Sequence, residues 1–423
     1  MRQHFPRLLV ALLGLVLATP ASAGVLVVAP SGAPFTTIQA AVDASVDGDT
    51  ILVKSGAYPG NVSIDGRGIS IVGDPAGTAT VTGAISVQNI GAGKTVLLED
   101  FRFLTQTLGS VHIQNCAGSV RLEALTSLPQ SVSMGDALVV LGCADVGILR
   151  CNLFGSHSCL FPCPATSGLV ATNSNVAVYD SLLQGGVGSA AFYIGTGGSS
   201  LPALEGGVGC VLSGTGSFFA SNTTVLGGRG GQGLPGTCFP FQSNGGPGAQ
   251  GGTGMSVAPG VSAWLIGISP LGGLGGAGGA GATSCGTSAG PTGPAGTDMT
   301  GLANSFLGAS RVLACAAHLR ESNALPLTLQ GQPGDLVWIR AGFGASWSLN
   351  PAMQGVALFE TGARRAFLGV VPASGTLQTS LSFGDLGLGV EARTYHFQAI
   401  FRDLAGATHL GSAASVVVLD SAY

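Results

Sequence analysis

Charge is what this sequence has least of. Among its 423 residues only 9% are charged and 6% aromatic, and lysine occurs twice, at Lys54 and Lys94. A nucleic-acid partner is excluded, because neutralising phosphates takes grouped Lys and Arg and no basic cluster of that kind is written in the chain. Phosphate-cradling loops are missing too: there is no GxxxxGK[ST], and no G-x-G-x-x-G stands between a strand and a helix. Between His157 and Thr297 the only acidic or basic side chains are Asp180, Glu205 and Arg229, which leaves most of that stretch without groups for acid–base chemistry. In their place stand 71 glycines and a hydrophobic content of 46%, the glycine far above the roughly 7% of average proteins.

The first residues read as a targeting segment. Arg2 and Arg7 flank the start of the apolar run LLVALLGLVLA, and Ala21-Ser22-Ala23 places small residues where a signal peptidase reads them. Residues 1–23 are therefore expected to be a signal peptide cut after Ala23, with the mature chain secreted or held at the cell surface. The run is well short of the about 20 residues that span a bilayer, and no later segment qualifies, so no transmembrane segment is expected. Without the leader, 14 basic and 20 acidic residues remain, a net charge of −6.

The mature chain opens with VLVVAPSGAPFTTIQAAVDASVDGDTILVKSGAYPGNVSIDGRGISIVGD. Ile38, Ala41 and Val42 fall on one face of a short amphipathic helix with Thr36 or Thr37 as its cap, and alternating strands follow, broken at Gly and Pro. The succession F-T-T-I-Q-A-A-V-D, G-D-T-I-x-V, G-x-Y and V-x-I resembles the opening of right-handed parallel β-helix proteins of the pectin lyase-like class, pectinesterases included. That resemblance implies a helix capping the open end of a coil. It departs at Gly60, where the pectinesterase-like pattern has Glu.

A ten-residue pattern then recurs six times: TVLLEDFRFL from Thr95, SVRLEALTSL from Ser119, DVGILRCNLF from Asp145, NVAVYDSLLQ from Asn175, GSFFASNTTV from Gly216 and SAWLIGISPL from Ser262. Stacked as parallel rungs, these segments form inward columns: Val96, Val120, Val146, Val176, Ser217 and Ala263 at the second position, and Leu98, Leu122, Ile148, Val178, Phe219 and Leu265 at the fourth. A second strand precedes each, placing Gln88-Asn89 and Gln114-Asn115 in register for an amide ladder. The pattern repeats because one rung cannot bury its own apolar face. Intervals that lengthen from 24 to 46 residues read as loops growing at one corner.

Two of those loops, GGRGGQGLPGTCFPFQSNGGPGAQGGTG from Gly227 and GGLGGAGGAGATSCGTSAGPTGPAGTDMTG from Gly272, are glycine-rich. The entropy lost on ordering glycine favours flexible coil; the alternative is loops stacked on one another as a flap. The expected organisation is a parallel β-helix over 24–300, a transition over 301–324, and a β-sandwich over 325–423, where PLTLQG, DLVWIRAG, GVALFE, RAFLGVV, GTLQTSLSF, TYHFQAIFRD and AASVVVL alternate between turn signals.

Enzymes of the resembled class work with acidic clusters: paired Asp with Arg, three grouped Asp, or Asp-bound calcium with an Arg base. None of those motifs is present. The nearest constellation has Glu99 and Glu123 in one column, and Asp100, Arg150 and Asp180 in the next. Like charges so close raise a carboxyl pKa and make a general acid; the competing reading is a solvated face with an Arg150–Asp180 pair worth under about 1 kcal/mol. Calcium is the cation such carboxylates would take, but His112 and His157 add too few ligands for a metal site of their own. Tyr179 and Trp264, placed outward or at an edge, are candidate sugar-stacking rings.

Nine cysteines in an exported chain favour pairing. Cys238 and Cys285 lie at nearly the same point of consecutive glycine-rich loops, which brings them into disulfide range; Cys116–Cys143 follows from the same register, and Cys159–Cys163 from the short loop CLFPC. Cys151 falls in an apolar column as a buried thiol. The function expected is non-catalytic binding or structure, with polysaccharide or a cell-envelope component as partner; a polysaccharide lyase or glycoside hydrolase acting on acidic glycans is the alternative.

Overall fold

A computed structural model of the chain describes residues 23–74, 77–104, 111–128, 135–157, 164–194, 199–238, 242–359 and 364–423. From Val62 the chain visits three sheets in rotation. Thr95–Glu99, Ser119–Glu123, Asp145–Leu149, Val176–Tyr179, Gly216–Ser221 and Val261–Ile266 lie side by side in the ten-stranded sheet A. Strands such as Arg102–Leu104 and Leu182–Gln184 form the seven-stranded sheet B, and strands such as Ile85–Gln88 and Val111–Gln114 the eight-stranded sheet C. Neighbouring strands pair in parallel throughout these sheets, as in a parallel β-helix. Gln114 Nε2 donates to Gln88 Oε1 at 2.8 Å, one step of the amide ladder.

The inward columns hold one continuous core. Val96 pairs with Val120, Val120 with Val146, and Val146 with Val176, all fully buried. The fifth repeat is displaced by one residue from its sequence reading: Val176 pairs with Phe218 and Val178 with Ala220. Phe218 thus fills the column expected for Ser217, and Phe219 points to the other face, because a one-residue slip exchanges the two faces of a strand. The helix Ile38–Ala44 buries Ile38, Ala41 and Val42 in the same core, and Thr37 accepts the Ala40 amide at 3.3 Å as its cap.

The described residues of the glycine-rich segments are held in a hydrogen-bonded array, as in the stacked alternative and not the flexible one. They leave sheet B and return to sheet C as pairs of extended legs, hydrogen-bonded with a period of three residues, the period of polyproline II. Gly227, Gly230, Gly233 and Gly236 donate to the carbonyls of Leu271, Leu274, Ala277 and Ala280 at 2.7–2.9 Å. Gly245, Gly248, Gly251 and Gly254, on the returning leg, donate to Ser288, Pro291, Pro294 and Thr297 at 2.8–3.0 Å. A zigzag joins the two layers: Gly228 to Gly207, Gly252 to Gly228, Gly273 to Gly252 and Gly296 to Gly273, each at 2.7–2.8 Å. A Cβ at Gly252 would stand 1.9 Å from the Gly207 oxygen, and one at Gly276 1.8 Å from that of Gly231, so the backbones approach too closely for any side chain.

Beyond the coil, Asn304–Phe306 still pairs in sheet A, while Val312–Cys315 and His318–Arg320 already belong to sheets of the C-terminal module. There a three-stranded antiparallel sheet and a five-stranded mainly antiparallel sheet share a core of Leu313, Leu327, Leu329, Val337, Phe397, Phe401 and Val416. The module covers the outward face of sheet A. Leu52, Val72 and Leu97 pack on Ala392, Val417 and Leu419, and Leu149, Tyr179 and Phe219 pack with Val356, Leu358 and Ala413. No described helix is long and apolar enough to cross a membrane.

Candidate functional site

Parallel pairing puts Glu99 and Glu123 opposite each other on sheet A, and the residue after each strand turns the corner left-handed: Asp100, Ala124, Arg150 and Asp180 have φ between 52° and 60°. This brings the expected constellation together, but beneath the module rather than in solvent. Glu99 and Glu123 are fully buried. Glu123 Oε2 accepts from Arg150 Nη2 at 2.8 Å and from the Ser415 amide of the module at 3.0 Å. Arg150 therefore pairs with Glu123 on the preceding rung, not with Asp180, whose Oδ1 accepts instead from Asn222 Nδ2 at 2.8 Å. The solvated-face reading fails because the module removes the solvent.

Neither oxygen of Glu99 has a hydrogen-bond partner among the described residues. Burial, then the Glu123 charge beside it, pushes its pKa well above the ordinary glutamate value, with Arg150 opposing. A buried carboxyl with no donor is most stable protonated. Burial also raises Asp100 and Asp180, and pushes the thiol of Cys315, which the module holds over the same charges, up to about 12. Raised carboxyl pKa values are what a general acid needs, yet a general acid must also reach its substrate. In this enclosure the cluster acts on the interface: one carboxylate neutralised by Arg150 and Ser415, the other neutral.

A second buried pair, not anticipated from the sequence, lies beside it. Arg121 grips Asp145 through Nη1 at 2.6 Å and Nη2 at 2.8 Å, and burial lowers His396 above them to about 3, with Arg121 adding to the effect. Both charges needed a partner because the module also covers them. Among the described residues no group of three or more His, Cys, Asp or Glu is disposed to hold a metal ion. His157 Nδ1 accepts the Val187 amide at 3.1 Å.

Of the two candidate sugar-stacking rings, Tyr179 is covered and Trp264 is half-buried. Tyr179 does point away from the coil core, but it is fully buried, its hydroxyl donating to the Val356 carbonyl at 3.3 Å and its ring 5.3 Å from Phe219. Trp264 stacks on Phe306 at 4.6 Å. Outward apolar rings on sheet A are the floor of the module's docking surface.

Among the cysteines, Cys238 and Cys285 are joined, their Cα atoms 5.7 Å apart. Cys116 and Cys143 are buried free thiols. They follow the paired strands Val111–Gln114 and Leu138–Leu141 at matching positions, as the register had it, and their thiols hydrogen-bond each other in place of a disulfide. Burial pushes the free thiol of Cys151 up to about 12. Cys159 and Cys163 lie outside the described residues.

The module offers a solvent-facing site that sequence reasoning passed over. On the five-stranded sheet, Trp338 pairs with Phe367 on one side and Ile400 on the other. The rings of Trp338 and Phe367 stand 5.4 Å apart, and Phe367 is 57% exposed. With Met353, Arg365, Arg402 and Thr408 they line a recess of about 500 Å³. Arg365 and Arg402 form no ion pair among the described residues. The signal was present in DLVWIRAG, where alternation sets Trp338 and Arg340 on the face opposite Val337 and Ile339.

No model of a protein family matches the chain, and no curated protein matches it. A solved structure, ORF18 of Geobacillus virus E2, aligns over 89% of this chain and 82% of its own with 11% identity and a TM-score of 0.17, a likeness too slight to bear on fold or function.

Proposed function

We propose that this chain is an exported, non-catalytic right-handed β-helix of the pectin lyase-like kind, capped by the helix Ile38–Ala44, whose C-terminal β-sandwich binds acidic polysaccharide at the cell surface or beyond it. The observation that carries this reading is the pairing of an aromatic surface, the exposed Phe367 beside the half-buried Trp338, with two arginines, Arg365 and Arg402, that form no ion pair among the described residues. Aromatic faces stack on sugar rings, and guanidinium groups take carboxylates in two-point contacts. Against catalysis stands the burial of Glu99 and Glu123 under the module. The coil and the two-layer glycine bundle serve as the rigid body that displays the site.

A panel of acidic and neutral polysaccharides, with binding and product analysis, tests the proposal. Retention on uronate-containing chains, lost at least tenfold in Trp338→Ala and in Arg365→Gln with melting temperature kept, is the expected result. Release of unsaturated or reducing ends that disappears in Glu123→Ala, with folding intact, would instead establish a lyase or hydrolase.

A further inference from the structure

Two carboxylates from opposite parts of the fold converge on Gly24. The Gly24 amide donates to Asp49 Oδ1 at 2.8 Å, and the Val25 amide donates to Glu391 Oε2 of the module at 2.7 Å. A Cβ placed on Gly24 would stand 3.5 Å from the Asp49 oxygen and 3.8 Å from the Glu391 oxygen, so both acceptors lie around this one residue. Asp49 is 6% exposed and spends its other oxygen on the Val46 amide at 2.8 Å. Neither carboxylate has an ion-pair partner among the described residues; the nearby Lys94 is engaged by Asp47 at 2.8 Å. Glu391 also takes a hydrogen bond from the Tyr423 side chain, but no cation within ion-pair distance balances either carboxylate among the described residues, and a charge in a partly desolvated site calls for an opposite one.

The sequence supplies that charge. Ala21-Ser22-Ala23 ends at the bond to Gly24, and Ala23 lines the mouth of a cleft of about 920 Å³ between the coil and the module, with Lys94, Leu388 and Arg393 among its walls. We propose that hydrolysis of the Ala23–Gly24 bond by a leader peptidase creates an α-ammonium at Gly24 that binds between Asp49 and Glu391, a built-in receptor for the mature N-terminus. Water breaks the C–N bond, its oxygen ending in the Ala23 carboxylate and its hydrogens on the departing amine, which is protonated at neutral pH. The new cation has three donors where the amide had one. It ties the first strand, Val25–Val28, to the module, so that removal of the leader strengthens the docking that buries the Glu99 cluster. This inference rests on the export reading, from which its failure can be told apart.

The test uses the full chain exported with its own leader and uniformly labelled with ¹³C and ¹⁵N, its N-terminus fixed by mass spectrometry and its α-amine titrated by NMR through the Gly24 ¹³Cα shift, which leaves all three donors in place. A mature start at Gly24 is expected, with the α-amine titrating near about 9, above its ordinary 7.7–8.0. Glu391→Gln keeps an acceptor for the Val25 amide but not the charge, so the value should fall towards ordinary in that variant, and likewise in Asp49→Asn if it folds. A retained leader or another start sinks the export reading and this inference together. A start at Gly24 whose amine titrates normally and ignores Glu391→Gln overturns the inference alone.

Discussion

The carboxylate of Glu123, on the coil, accepts the backbone amide of Ser415, on the C-terminal module, at 3.0 Å, while Arg150 holds the same oxygen at 2.8 Å. Removing that carboxylate in Glu123→Ala strands a mostly buried guanidinium and an amide together. A destabilisation of about 3–5 kcal/mol is expected, since a broken buried pair leaves an uncompensated charge, measured as a lower denaturant midpoint.

Glu99, one rung away, should behave in the opposite manner. Its pKa is raised on folding, so the folded state retains a proton that the unfolded chain gives up. That contribution is complete below the unfolded glutamate pKa and is lost as pH rises through the folded value. Relative to Glu99→Gln, which mimics the neutral form, the wild-type chain should thus lose stability from acid towards alkaline pH; Asp100 and Asp180 act in the same direction and His396, lowered on folding, in the opposite one, but all three are common to both chains. A wild-type denaturant midpoint that climbs with pH relative to that of Glu99→Gln contradicts this assignment.

How far these residues were legible in the sequence follows from which faces were buried by what. The columns through Val96, Val120, Val146 and Val176 stood out because the rungs bury them locally. Sheet A is buried on its outer face as well, by a module more than a hundred residues downstream, so alternation fails where it matters most: Phe218 and Phe219 are both apolar, and pattern alone could not say which faced in. For the same reason Tyr179 read as exposed and Glu99 with Glu123 as solvated. The three-residue glycine period was written plainly, but order in those legs comes from hydrogen bonds between distant segments, which local entropy arguments do not include.

The corrected register makes its own prediction. Phe218 is 1% exposed and sits in the core column, whereas Ser217 is only half-buried. Phe218→Asp and Leu122→Asp should each cost several kcal/mol and prevent accumulation of folded protein, because an unpaired ion in a core is not tolerated. Ser217→Asp should fold. Equal tolerance of Phe218→Asp and Ser217→Asp, judged by soluble yield and melting temperature, would place the slip elsewhere.

Cys238 and Cys285, separated by 47 residues, close the far ends of two neighbouring glycine legs. A cross-link of that span restricts the unfolded chain by about 4 kcal/mol in the loop-entropy account. Cys238 is exposed, so mild reductant should open this bond first and speed proteolysis of the legs before the coil. Non-reducing peptide mapping decides the connectivity: recovery of both cysteines alkylated from unreduced protein rules the bond out.

The glycine bundle supplies the sharpest contrast between positions of one repeat. In GGLGGAGGA, Leu274 is 73% exposed on the outer surface, while Gly276 donates to the Ala249 carbonyl at 2.8 Å and has the Gly231 oxygen 1.8 Å from where its Cβ would be. Backbone carbonyls on both sides cannot yield as a flexible side chain would, so Gly276→Ala must push two legs apart and break the ladder on either side of it. Leu274→Ala removes only solvent-facing atoms. Amide exchange at Gly230, Gly233 and Gly273 should accelerate by at least an order of magnitude in Gly276→Ala, as local opening replaces the three-residue ladder, and stay unchanged in Leu274→Ala, with the coil melting at its usual temperature in both. Protection that survives in Gly276→Ala would mean that the legs are held by something other than the close approach of their backbones.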